Sequence, residues 1–150
     1  MKKPRAVLAT SAVFLSAALV ASYFQFQQPT VKATEVLTWD CESAVHKPES
    51  ITLTCADGGW SLQKITWTSW TEKGAEGTGT FRENLCKPDC ADGEIVQAKV
   101  KVKLSDLTSY NGKFLLKTVD IVTPDGKDFP WGRAGIIKWD VIEFIENMKG

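Results

Sequence analysis

A chain of 150 residues, 43% hydrophobic, 24% charged and formally neutral, has the composition of one folded domain. The charge is laid out unevenly: Lys2, Lys3, Arg5 and Lys32 are the charged residues before Glu35, so residues 34–150 hold 14 basic against 18 acidic side chains, a net of −4. A mildly acidic domain gains nothing from nucleic-acid phosphates, so a nucleic-acid partner is not expected.

At the N-terminus, Lys2, Lys3 and Arg5 precede an uncharged apolar run, AVLATSAVFLSAALVASYF (6–24). A basic start followed by an apolar core reads as a secretory signal, because the charges stay inside while the core enters the translocon. Val31-Lys32-Ala33 supplies the small residue at a cleavage site, with Leu19-Val20-Ala21 as a second candidate. The expected organisation is a signal peptide over 1–33 and a single extracellular β domain over 34–150. The run also approaches the ~20 residues that cross a bilayer. An uncleaved signal-anchor is therefore the alternative, with residues 6–24 holding the domain on the outer face of the plasma membrane. Cys41 follows Thr38-Trp39-Asp40 and not small apolar residues, so no lipoprotein site is read there.

Four cysteines in an exported chain are most simply two disulfides. The local pairing, Cys41–Cys55 with Cys86–Cys90, is favoured, since Pro88 helps preform the tight Cys86-Lys-Pro-Asp-Cys90 loop. Pairing of Cys55 with Cys90 stays open. The spacings match no common zinc site.

Alternation dominates from there. Ile51, Leu53 and Cys55 share one face of ITLTC (51–55). SLQKITWTSW (61–70) is β-branched and aromatic, and GTGTFRE (77–83) reads as a short strand. In IVQAKVKVKL (95–104), Val96, Ala98, Val100, Val102 and Leu104 oppose Gln97, Lys99, Lys101 and Lys103, a half-buried strand with a solvated side. FLLKTVDIVT (114–123) is another strand. Turn signals fall between them at Gly58-Gly59, Gly74, Asn111-Gly112 and Pro124-Asp125-Gly126, with Asn-Gly predicting a type I′ hairpin. AGIIKW (134–139) reads as a last strand. Val141, Phe144, Ile145 and Met148 then recur at helical spacing after Asp140, whose carboxylate caps a predicted helix over 140–148. The fold expected is all-β: a small antiparallel sandwich or barrel with two disulfides and a short C-terminal helix.

The order ITLTCADGG, I-T-W-T-S-W (65–70), A-E-G-T-G-T (75–80) and N-L-C-K-P-D-C-A-D-G (84–93) resembles an uncharacterised family of small secreted actinobacterial proteins. Those carry CADGG or CADGN, a W-x-x-W pair, and C-x-P-x-C-A-x-G. The resemblance covers about residues 41–104. It implies secretion and disulfide-bonded cysteines, and no activity. The tail after about residue 124 departs from it.

Candidate chemistry is sparse. His46 is the one histidine, and no G-x-S-x-G elbow is present. Asp57, Asp89, Asp92 and Glu94 offer oxygens for calcium, but the EF-hand order is missing. Asp57-Gly58 and Asp92-Gly93 read as turns, Asp accepting amides and Gly taking positive φ. Trp67 shares a face with Ile65 and is expected in the core. Trp70, an odd step away, is expected to face outward. Trp60, Trp70 and Trp131 are then candidates for an aromatic binding surface, against the plainer reading that Trp70 caps the end of the fold. Lys99, Lys101 and Lys103 are candidates for contact with anionic wall polymers or lipid headgroups. Solubilising the strand and blocking edge-to-edge pairing is the stronger explanation.

The expectation is a secreted or envelope-associated, non-enzymatic binding or structural domain; the alternative is a wall-directed hydrolase or inhibitor using carboxylates that nothing singles out. No catalytic residue, metal or cofactor is assigned. The expected partner is an envelope component or another extracellular molecule, with membrane contact only through an uncleaved N-terminal segment.

Overall fold

The computed structural model describes residues 31–41 and 43–149. The apolar run at 6–24 and the candidate site after Ala21 lie outside them. The described fold begins upstream of residue 34. Val31 packs against the core, and a 3-10 turn at Ala33–Glu35 is braced by the Lys32 amide donating to Glu35 Oε2 at 3.2 Å.

Eight strands build one curled, barrel-like sheet: β1 Val36–Asp40, β2 Ser43–Val45, β3 Ile51–Thr52, β4 Trp60–Thr71, β5 Gly74–Asn84, β6 Ile95–Tyr110, β7 Lys113–Val122 and β8 Ile136–Asp140. Helix α1 spans Val141–Lys149. The sheet order is β2-β1-β7-β6-β5-β4-β3, with β8 also on β7. The fold is thus all-β with a single curled sheet, not two stacked ones. It also contains a parallel pair, because Val36 and Leu37 of β1 lie beside Phe114 and Leu115 of β7. Strand β8 pairs with the later part of the same edge, Thr118–Val122. With β1 holding the rest of that edge, the chain after Asp140 leaves the sheet and coils into α1.

Long meander hairpins form the centre. At Tyr110-Asn111-Gly112-Lys113 both turn residues have positive φ, +48° and +73°, as a type I′ turn requires. The inner face collects Leu62, Ile65, Phe81, Val100, Val102, Leu104, Val119 and Ile121, all buried. Burying side chains of this size stabilises by roughly 1.5–3 kcal/mol each before chain entropy is subtracted.

Two irregularities in β4 decide which residues reach that core. Pairing slips between Gln63 and Thr66, where Lys64 takes φ +53°, and again between Trp67 and Ser69. A bulge puts one extra residue in one strand, so a step of three restores the same face. Leu62 and Ile65 therefore point inward together, and so do Trp67 and Trp70. Trp70 is 5% exposed and its indole N–H donates to the Val36 carbonyl at 2.9 Å. The expected outward placement of Trp70 is corrected by this bulge. Across from these bulky residues β5 offers glycine: a Cβ on Gly77 would lie 2.6 Å from the Thr66 carbonyl and 3.0 Å from Trp67 Cε3.

The seam between β1 and the β3–β4 end is fastened three ways. Cys41 is bonded to Cys55, the Thr52 amide donates to Asp40 Oδ1 at 2.8 Å, and Trp70 reaches Val36. The other bridge, Cys86–Cys90, closes the β5–β6 loop. Both local pairings are those expected.

Helix α1 starts on its cap. Asp140 Oδ1 accepts the amides of Ile142 and Glu143 at 2.9 and 3.0 Å, and Oδ2 pairs with Lys117 at 2.8 Å. Burial pushes the Asp140 carboxyl up, but Lys117 and the two amides outweigh it and hold it below the usual range. A depressed pKa contributes stability above the unfolded value, 3.8, that is lost as pH falls through the folded one. Asp140→Ala is expected to cost about 1 kcal/mol at pH 7. Urea denaturation should show the gap between the two proteins narrowing as the pH falls below 3.8; a gap that stays the same at every pH would assign the loss to packing alone.

Candidate functional site

The two CADG turns are built differently. In the first, Asp57 Oδ1 accepts the Gly59 amide at 2.9 Å and Gly58 takes φ +60°. The Gly59 amide, then the Thr54 side chain, hold the Asp57 carboxyl below its ordinary range. In the second, Asp89 rather than Asp92 does the work, its Oδ1 accepting the amides of Ala91 and Asp92 at 2.9 Å each. Gly93 is needed for close approach and not for positive φ: a Cβ there would meet Asn84 Oδ1 at 2.0 Å. The disulfides keep the turns on separate loops. Among the described residues no group of three His, Cys, Asp or Glu is placed to hold a metal ion.

The aromatic candidates are occupied with packing. Trp131 stacks on Phe129 at 4.8 Å between ring centres and donates its indole N–H to Glu83 Oε2 at 2.8 Å. Trp60 meets Phe81 at 5.8 Å and Trp139 at 6.0 Å, and the Arg133 guanidinium lies 4.2 Å over its ring. Trp70 sits at the other end of β4 against Trp67, with His46 edge-on at 5.4 Å. Trp60, Trp70 and Trp131 therefore do not form one exposed platform. The centre of the first group is an ion pair that sequence reading missed. Glu83, 3% exposed, receives the Arg133 Nε at 2.6 Å and a second Arg133 N–H. The segment between β7 and β8 brings in Phe129, Trp131 and Arg133, so the tail closes one end of the sheet.

His46 also has a structural post. Its Nδ1 donates to the Val36 carbonyl at 2.9 Å, the same oxygen that takes the Trp70 indole. No carboxylate is hydrogen-bonded to its ring among the described residues.

The outer face of β4–β6 is different. Rows across the strands read Gln63 by Thr80 by Lys99, then Thr66 by Thr78 by Lys101, then Ser69 by Glu76 by Lys103. Lys64 is lifted out by the bulge and lines the same grooves as Lys99. Arg82 adds a further cation; the acids on and beside this face are Glu76 and Asp120, on either side of Lys103, and Asp106 farther along β6. Among the described residues, none of the four lysines is ion-paired; Lys99 reaches the Thr80 hydroxyl at 3.4 Å. The lysines do lie on the solvated side expected of them, but the edge-blocking role read from sequence does not hold, because β6 lies between β5 and β7. An open groove of about 400 Å³ runs past Thr68, Glu76, Thr78, Lys101 and Lys103. No protein-family model, curated protein or solved structure matches the chain.

Proposed function

We propose that this chain is an exported, non-catalytic binding domain whose contact surface is the outer face of β4–β6, directed at an anionic component of the cell envelope. The observation that carries this reading is the segregation of charge. Lys64, Arg82, Lys99, Lys101 and Lys103 stand together, with Glu76 and Asp120 flanking Lys103, on a domain whose net charge is −4. Charges beyond about a Debye length, roughly 8–10 Å, are screened, so a ligand on this face experiences the local cations and these two acids more than the acids elsewhere. Two disulfides favour an oxidising compartment. The basic and apolar N-terminal run and the resemblance to small secreted actinobacterial proteins point the same way.

Co-sedimentation of the exported protein with fractionated envelope tests the proposal. Retention on one anionic fraction, released by moderate salt, is expected; retention on no fraction would sink it. Intact mass before and after reduction tests export and processing. A chain that keeps residues 1–33 and remains in the cytoplasm would contradict it.

A further inference from the structure

Resting on the reading above, we infer that the trough over β5 and β6 binds a linear, base-free polymer linked through phosphodiesters. The geometry of the trough comes first. Four grooves on this face overlap in turn: the first two share Lys103 and Glu76, the next pair Lys101 and Thr78, and the last pair Lys99 and Lys64. They join into one furrow along the strands, open to solvent, and do not enclose a small molecule. Lysines two residues apart on one strand place a cation about every 6.8 Å, a periodic array suited to a chain with a periodic charge.

The choice of side chains narrows the charge. Planar carboxylates are matched best by the arginine fork, whereas lysine holds phosphate as a point charge. The array lining the furrow is lysine, with Arg82 outside that lining, and it is flanked by the hydroxyls of Thr66, Thr78 and Thr80, which can donate to further phosphate oxygens. A base-bearing strand needs aromatic rings to stack on. The tryptophans of β4 all point to the other face: Trp60 by alternation with Leu62, and Trp67 and Trp70 through the bulges. A polyol phosphate chain fits what remains.

The test passes the exported protein over immobilised poly(glycerol phosphate), a linear phosphodiester-linked polyol, at rising salt. Each lysine engaged with a phosphate adds about 0.7–0.9 to the slope of log affinity against log salt. Lys99→Gln/Lys101→Gln/Lys103→Gln is expected to lower that slope by about 2 and the affinity at about 50 mM salt at least tenfold. Lys47→Gln/Lys113→Gln/Lys127→Gln makes the same charge change elsewhere and is expected to alter binding less than threefold. Acetylation footprinting of the unmodified protein gives a reading free of any variant: poly(glycerol phosphate) should shield Lys99, Lys101 and Lys103 and leave Lys113 and Lys127 reactive.

Equal losses in the two variants would reduce the effect to net charge and overturn the inference. So would tighter retention on polyglutamate, on single-stranded DNA or on phosphatidylglycerol vesicles than on poly(glycerol phosphate). Binding to an envelope fraction without binding to poly(glycerol phosphate) would remove the phosphodiester ligand and leave the proposed function standing.

Discussion

Replacing Arg133 with methionine is expected to remove about 3 kcal/mol of folding stability, the largest loss from a single side chain outside the apolar core. Methionine keeps most of the volume over Trp60 and loses the charge. Glu83 would then keep one hydrogen bond, from the Trp131 indole, in a site that is 97% closed to water. Stranding a buried charge costs about 3–5 kcal/mol. The lower end applies because Arg133 keeps one third of its side-chain surface in solvent. Adding Glu83→Leu to Arg133→Met should recover most of the loss, since an apolar pair of similar size does without either desolvation. Urea denaturation at pH 7 reads both values. A loss under about 1 kcal/mol for the single variant would mean that water reaches Glu83 freely. Arg133→Met should also loosen the segment between β7 and β8, and proteolysis between Pro124 and Gly135 would report it.

Removing the Cys41–Cys55 bridge by paired alanines is expected to cost about 3 kcal/mol, against about 2 kcal/mol for Cys86–Cys90. Loop length sets the order, because the bonds close separations of 14 and 4 residues and the longer loop loses more unfolded-state freedom. The position of the bonds widens the contrast. Cys41–Cys55 lies on the seam, where the Thr52 amide meets Asp40. Its loss should speed hydrogen exchange at Thr52, while loss of Cys86–Cys90 should leave Thr52 unchanged. A greater cost for the short bridge would show that its loop contributes more than chain entropy. The Asn84 side chain, bonded to both the Cys86 amide and the Cys90 carbonyl, is where that contribution would arise.

Alternation made the meander legible. IVQAKVKVKL announces both faces of β6, and Asn111-Gly112 announces its turn. Asp140 at the start of a 3.6-residue repeat announces α1. The bulges were not legible, because Lys64 in a left-handed conformation has none of the glycine signature that marks most such positions. A count by twos therefore put Trp70 on the wrong face. The step of three recurs on β6 and β7, from Leu104 to Leu107 and from Leu116 to Val119, where Asp106 takes φ +59°. Strands β1 and β2 are short, and β1 owes its pairing to residues near 115, beyond the reach of local pattern. Glu83 and Arg133, fifty positions apart, likewise carry no sequence signal of each other. The lysine stripe was visible from the outset. Its meaning changed only with the sheet order, which put β6 in the interior of the sheet.

The parallel contact of β1 with β7 also imposes an order in time. A chain that emerges N-terminus first presents Val36 and Leu37 long before Phe114 and Leu115, the partners they require. Hairpins β4–β5, β5–β6 and β6–β7 join neighbours in sequence and close early, since short loops lose little entropy. Strand β1 must wait, tethered at Cys55 once the first bridge forms, until the meander has produced an edge to receive it. Of the described strands β1 is the first made, yet it cannot be seated on β7 until β7 exists.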